Sequence, residues 1–345
     1  RKLHITENLT NLFDQNACNL SILRKGSTQT KQTNEKRIRL KIKDLKESNR
    51  KLEDKIDVFS KNKVKSCLKK WSIHPKKDLG QHFLIDKKII HKEINVGSVT
   101  KFDSVLEIGP GVGNLTQVLA RFAGKVIAIE KDSSFKAILA NVQKLHTNLK
   151  VVYGDFFNVK KPKVTKIIAN LPYNIALPVL FEILKLDIKM AVLIIQERLA
   201  KRITVTVGHR GYSRISVQIS RHADVSIIER VPNSSFFPEP SVENSMILIK
   251  KIKVKFDVPS EDFFSQILKY FFLKRDETIG RLIKRLLMNV NAENQFTTQI
   301  KNKIGSKILR KKVYRVSPNQ FGKITNILWK ALNQNTIFLN FLKKF

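Results

Sequence analysis

Four consecutive residues, Asn170-Leu171-Pro172-Tyr173, close an apolar run and combine types suited to one chemistry. An amine on an aromatic ring is a weak nucleophile because its lone pair is delocalised into the ring. An asparagine side-chain carbonyl and a backbone carbonyl held before proline can accept the two amine protons, drawing the nitrogen toward tetrahedral geometry and freeing the lone pair. A tyrosine ring beside them can stack on the base. The plainer reading of the same residues is a proline-terminated strand end with a structural asparagine.

Three earlier strand ends suit a nucleoside-bearing ligand. Glu107-Ile-Gly-Pro-Gly-Val-Gly113 places glycines at 109, 111 and 113, where the backbone can turn tightly and approach a ligand. Dinucleotide enzymes use a related turn, so the loop alone leaves the ligand open. The next run ends at Glu130, where an open sheet presents a carboxylate to the two hydroxyls of a ribose; the alternative is a solvated carboxylate before Lys131 and Asp132. A third ends in Gly154-Asp155-Phe156, offering an acceptor to an adenine amine and a ring to cover its face. S-adenosylmethionine fits this series. With its charged methyl donor, in-line positioning accounts for most of the catalysis, and neither a metal nor a covalent nucleophile is required.

The elements that must hold these residues alternate. Ser104 to Ile108, Val126 to Ile129, Lys150 to Tyr153, Lys166 to Ala169 and Ala191 to Ile195 read as strands, with helical periodicity over 113–122, 133–145 and 175–186. Later strands at 225–231 and 245–251 close the sheet as a hairpin, giving an α/β, doubly wound, Rossmann-like sheet of seven strands. After about residue 256 amphipathic helices take over, near 260–273, 277–288 and 317–332, as a small all-helical domain. Residues 1–70 are polar and aromatic-poor and read as a basic extension, partly helical or disordered. Within it Ile38, Ile42, Leu45, Leu52 and Ile56 alternate at spacings of three and four, with Asn49 on the same seam, a short amphipathic helix more often frayed or self-packed than a dimer coil or an arm laid on RNA. The expected domains are therefore 1–70, 71–255 and 256–345.

Lys and Arg number 65 against 29 Asp and Glu, a formal charge of +36 spread through the whole chain, which favours a polyanionic partner. No apolar run approaches the roughly 18 to 20 residues that span a bilayer, so nucleic acid is favoured over membrane. Cys18 and Cys67 stand without a CxxC pair or a Cys/His cluster, which argues against a disulfide framework or structural zinc. The chain begins at Arg1 with no secretory segment after it, as a processed or partial product would.

Taken together, the chain resembles the KsgA/Erm family of RNA adenine dimethyltransferases over residues 76–255 and more loosely to 333, which implies a class I methyltransferase sheet. Leu79-Gly-Gln-His-Phe-Leu84 resembles the family's opening motif, and so places Gln81, His82 and Leu84 near the methionine part of the cofactor, beside Glu107, Gly109, Gly111, Gly113, Glu130, Asp155, Phe156 and Asn170. His82 is assigned proximity only, since a lone histidine in a loop more often packs or hydrogen-bonds. Gln196-Glu197 with Lys201-Arg202, and Gly211-Tyr-Ser-Arg214, resemble segments near the pocket and the RNA-facing surface. Val231-Pro and Phe236-Phe-Pro-Glu-Pro-Ser-Val242 resemble the motif whose phenylalanine stacks on a flipped base, a role that falls to Phe236 with Tyr173 on the opposite face. Ser241 and Glu243-Asn244 depart from the family, which often has a basic residue and Asp-Ser there.

The wording of 223–246 and of Val313-Tyr-Arg-Val-Ser-Pro318 resembles the branch that matures the small ribosomal subunit. That implies dimethylation of two adjacent adenines near the 3′ end of small-subunit RNA, on an immature particle, by a monomer. Lys301 to Arg315 carries seven Lys or Arg, and Arg310, Lys311 and Lys312 are expected to dock phosphates with Lys201, Arg202 and Arg214. The compartment expected is the cytoplasm, with mitochondrion or plastid as alternatives. A non-catalytic assembly factor or mitochondrial-type transcription factor on the same fold is the second reading, and the intact pocket motifs argue against it. A DNA adenine methyltransferase is a third; there a proline commonly stands where this chain has Leu171.

Overall fold

The computed structural model describes residues 58–289 and 291–342; the amphipathic pattern from Ile38 to Ile56 lies outside them. Ser60 opens helix α1 (Lys61–Lys70) by accepting the Lys63 N–H, and Val64 and Leu68, one turn apart, form its buried stripe. The short strand β1 (Phe83–Leu84) follows, then α2 (Lys87–Val96), whose cap Asp86 accepts from Lys88 N and Ile89 N. Strands and helices then alternate as β2 (Ser104–Ile108), α3 (Asn114–Phe122), β3 (Lys125–Glu130), α4 (Lys136–Leu145) and β4 (Leu149–Tyr153). The alternation continues through β5 (Lys166–Asn170), α5 (Ala176–Lys185) and β6 (Met190–Gln196). Helices α6 (Glu197–Thr204) and α7 (Arg214–His222) lead to β7 (Ala223–Val231), β8 (Phe236–Phe237) and β9 (Asn244–Lys251). Six helices complete the described chain: α8 (Glu261–Leu273), α9 (Ile279–Met288), α10 (Asn294–Ile304), α11 (Ser306–Leu309), α12 (Pro318–Leu332) and α13 (Thr336–Leu342).

Seven strands form one sheet in the order β4-β3-β2-β5-β6-β9-β7. The first five in that order run parallel, and β9 pairs antiparallel with both β6 and β7. Helices cover both faces, so the central strands are buried on both sides and read as unbroken apolar runs such as Ile167-Ile168-Ala169. The expected sheet of seven strands, with its late antiparallel pair, is the observed one. A second, two-stranded sheet joins β1 to β8, with Leu84 opposite Phe236 and Phe83 opposite Phe237.

Three apolar cores among the described residues fix these layers. Leu106, Ile167 and Leu193 of the sheet pack with Val179 and Ile183 of α5. Phe263, Phe271, Leu282, Phe321 and Leu328 build the helical core, which also takes in Tyr212 and Val217 from before and within α7. The Tyr212 hydroxyl donates to the Val316 carbonyl at 3.1 Å, joining the two stretches. Val58, Val64, Leu68 and Ile73 pack against Phe83, Val112 and Phe135, so α1, inside the stretch read as an extension, covers the flank of the glycine loop. Among the described residues no helix is long and apolar enough to cross a membrane, and no group of three or more His, Cys, Asp or Glu could hold a metal.

Candidate active site

Because β2, β3, β4, β5 and β6 are parallel, their carboxyl ends open on one edge, the crevice where ligands sit in open α/β sheets. A cavity lies there, walled by residues of the glycine loop, the ends of β3 and β4, the Asn170 motif, Phe236 and Asn244. The loop after β2 is held by Gly109 N donating to Ile129 O and Gly111 N donating to Glu130 Oε2, both at 2.9 Å. Gly111 sits at φ +54°, and a Cβ there would stand 2.9 Å from the Phe83 ring, so glycine is needed for both conformation and space. At Gly113 a Cβ would stand 3.0 Å from Val142 Cγ2, and the missing side chain brings α4 close to the loop.

Glu130 is 6% exposed; its Oε2 takes the Gly111 N–H and its Oε1 takes the Asp132 N–H at 2.7 Å. Burial raises its carboxyl, and those two amides oppose the rise. Each oxygen keeps a lone pair for a ligand hydroxyl. Asp155 holds Lys131 at 2.8 Å and the Phe157 N–H at 2.9 Å, and the Lys131 ammonium lowers its carboxyl. Phe156 is buried at the wall. Gln81 is clamped at both ends, its Oε1 accepting from Lys76 N at 2.8 Å and its Nε2 donating to Asp132 Oδ2 at 2.9 Å. Burial works to raise the Asp132 carboxyl, but Lys76, Gln81 and Ser134 outweigh it and hold it at about 2. Asn174 donates to the Asp78 carbonyl at 3.0 Å, strapping the segment before β1 to the Asn170 motif.

On the other side of the cavity Leu171 N donates to Ile194 O at 3.1 Å, which fixes the turn after β5. The Asn170 Oδ1 atom is buried with no hydrogen-bond partner among the described residues. No backbone N–H among those residues donates to the Leu171 carbonyl. The Tyr173 ring stacks on His82 with centroids 5.4 Å apart and planes at 26°, and His82 Nδ1 lies 2.7 Å from the Pro238 carbonyl. Burial pushes the Tyr173 phenol up to about 12, with the Asn244 side chain beside it. Phe236 is 3% exposed and reaches the wall from β8.

The structure thus gathers Gln81, His82, Gly109, Gly111, Glu130, Asp155, Phe156, Asn170, Leu171, Pro172, Tyr173 and Phe236 around one cavity. It does not bring Leu84, Glu107 or Gly113 to that wall. Leu84 points into the core and gives its carbonyl to Asn114 Nδ2 at 2.8 Å, Glu107 lies 1% exposed beneath the loop, and Gly113 caps α3. In the sequence Lys131 carries no signal beyond its place after Glu130, and Asn244 none beyond its departure from a family pattern.

The basic candidates lie elsewhere. Lys201 is exposed and pairs with Glu197 at 2.6 Å, Arg202 is exposed, and Arg214 begins α7 half-buried. Arg310 and Lys312 are exposed, and Lys311 donates to Gln320 at 3.1 Å. Gly208 N donates to Tyr314 O at 2.9 Å, which ties the α6–α7 loop to the stretch carrying the second set. The Tyr314 ring faces Arg275 and Arg315, each 5.6 Å from its centroid.

A family model described as ribosomal RNA adenine dimethylase matches residues 73–323. The "Probable ribosomal RNA small subunit methyltransferase A" of Methanococcus maripaludis is 36% identical over 259 residues, spanning 74% of this chain and 98% of the relative. The protein of the same description from Thermococcus kodakarensis is 32% identical over 274 residues, spanning 78% and 96%. Among solved structures, a dimethyladenosine transferase from Plasmodium falciparum aligns with TM-score 0.63 and 25% identity over 71% of this chain and 97% of that one. The 23S rRNA methyltransferase ErmE shares the fold at TM-score 0.54 and 22% identity, over 73% and 100%.

Proposed function

Since the chain belongs to the ribosomal RNA adenine dimethylase family, we propose that it is an S-adenosylmethionine-dependent enzyme that dimethylates the exocyclic amine of adenine in small-subunit ribosomal RNA. The observation that carries the reading is the Asn170 oxygen, buried without a partner in a residue that lines the cavity with Tyr173 and Phe236. A buried acceptor left unpaired costs about 1–3 kcal/mol, and an amine N–H removes that cost.

The pocket fits the cofactor, because the glycine loop leaves room where a Cβ would intrude and Glu130 keeps free lone pairs beside it. When bound, S-adenosylmethionine supplies an electrophilic methyl group on sulfur. Glu130 takes the ribose hydroxyls, Asp155 and Phe156 take the adenine, and Gln81 and His82 stand beside the methionine end. Asn170 Oδ1 and the Leu171 carbonyl accept the two protons of the target amine, while Tyr173 and Phe236 hold the base from its two faces. His82 and Asn244 fix the Tyr173 ring from behind and at its hydroxyl. Lys201, Arg202, Arg214, Arg310, Lys311 and Lys312 dock phosphates, those near the C-terminus as part of a helical RNA-docking region over 256–345.

The finer reading is two adjacent adenines near the RNA 3′ end, modified on an immature small subunit by a monomer in the cytoplasm or an organelle. The test is transfer of labelled methyl from S-adenosylmethionine to small subunits lacking adenine dimethylation, with the labelled bases mapped. Label on adjacent adenines near the 3′ end is expected. Tight binding without label overturns the enzymatic reading in favour of a non-catalytic assembly factor.

A further inference from the structure

Helix α2 carries a carboxyl where its pattern calls for an apolar residue. Its buried stripe is Ile89, Ile90, Glu93 and Ile94, and Glu93 is 0% exposed. Burying a carboxyl without full pairing is costly, and isoleucine would continue the stripe at no such cost. The packing of α2 on β5 shows what lies opposite. A Cβ on Gly97 would stand 2.5 Å from Ile168 Cδ1, so the end of the helix rests on that strand residue. Lys166 Nζ donates to the Ser98 carbonyl at 2.7 Å and pins the same end. Four residues back along the helix is a step of about 6 Å, and two residues forward along the strand is a step of about 6.6 Å on the same face. The two steps lead from Gly97 to Glu93 and from Ile168 to Asn170.

The side chains meet there. The Asn170 amide group lies beside the Glu93 carboxyl, and neither Glu93 oxygen has a hydrogen-bond partner among the described residues. Burial, with the Glu107 carboxyl second, pushes Glu93 well above the ordinary carboxylate range. An asparagine amide has two orientations differing by a half-turn, and only one presents oxygen to an amine; the other sets N–H against N–H. An acceptor behind Asn170 selects the productive one.

We propose that Glu93 is a positioning residue for methyl transfer, receiving the Asn170 N–H and so leaving Oδ1 for the target amine. The inference rests on the reading of Asn170 as the amine's acceptor. Glu93→Ile keeps the apolar stripe and removes the acceptor, whereas Glu93→Gln keeps an acceptor. In the full chain, Glu93→Ile is expected to hold or raise Tm and leave KM for S-adenosylmethionine unchanged, while kcat falls by roughly tenfold. Glu93→Gln is expected to restore kcat to within about twofold of the native rate. A purely structural residue predicts the stability gain with no loss of rate. Native kcat in Glu93→Ile, or equal impairment in Glu93→Gln, overturns the proposal. Should the isoleucine protein fail to fold, Glu93→Met carries the same comparison. Asn170→Ala is assayed alongside: if it is inactive while Glu93→Ile is fully active, only this inference fails, and if it is itself active, the reading of Asn170 fails.

Discussion

The polar side chains that line the glycine-loop side of the cavity already hold one another, whereas on the Asn170 side buried acceptors stand without donors among the described residues. Glu130 is tied to Gly111 and Asp132, Gln81 to Lys76 and Asp132, and Asp155 to Lys131 and Phe157. Across the cavity, Asn170 Oδ1 and Asn244 Oδ1 are buried and unpartnered among the described residues. The first arrangement is a rigid cradle that a ligand enters with little reorganisation. The second leaves its satisfaction to a donor that arrives, which is how a site comes to favour one chemical group over its analogues.

The sharpest way to break this contrast is Asn170→Ala. Methyl transfer is expected to fall by roughly a thousandfold or more, because the lost acceptor acts on the developing charge. RNA affinity measured by filter binding should stay nearly native, and equal loss of both would erase the division between the halves. Glu130→Ala tests the cradle: the Kd for S-adenosylmethionine in calorimetry should rise by roughly 10- to 100-fold. At saturating cofactor kcat should change little, and a collapse of kcat instead would assign Glu130 to the chemistry.

Joint replacement of Arg310, Lys311 and Lys312 by alanine probes a surface outside both halves. Affinity for small-subunit RNA should drop by roughly tenfold, and the slope of log affinity against log salt should shrink by about 2. An unchanged slope removes these residues from the docking surface. The smallest effect belongs to Glu107, beneath the loop. Burial pushes its carboxyl up to about 8, against the Thr116 hydrogen bond and with the Glu130 charge adding to the rise. An acid raised in the folded state stabilises fully below its ordinary value, 4.5, and loses that contribution as pH climbs toward 8. Glu107→Gln should therefore flatten the decline in Tm between pH 5 and pH 8 on the order of one proton's linkage, read as the difference from the native protein. A parallel decline in both proteins would show that Glu107 titrates normally.

Much of the sheet was legible because strands buried on both faces are written as apolar runs. Ser104 to Ile108 was read to the residue, and the strand ending at Asn170 was read one residue short. The two-stranded β1–β8 sheet was not legible, since two residues carry no period. Helices α2, α6 and α10 were also missed, their charged faces resembling loop or surface. Asn170, Tyr173, Glu130 and the glycines were found because each closes a strand, and a strand end is visible in sequence. Glu93 and Asn244 were not found as site residues, because each reaches the site through a neighbouring element and not through its own motif.

The sequence by itself determined the alternation of elements, the motifs at the strand ends and the basic charge, because hydrophobic period and turn chemistry are local properties of the chain. Only the tertiary structure decided which polar atoms are satisfied. Whether Gln81 faces a ligand or Asp132, whether Asn170 keeps a free oxygen, and whether a glutamate on α2 meets water or the back of Asn170 depend on residues between 51 and 77 positions apart. Burial and hydrogen-bond partnership are set by that packing, and no local pattern encodes them.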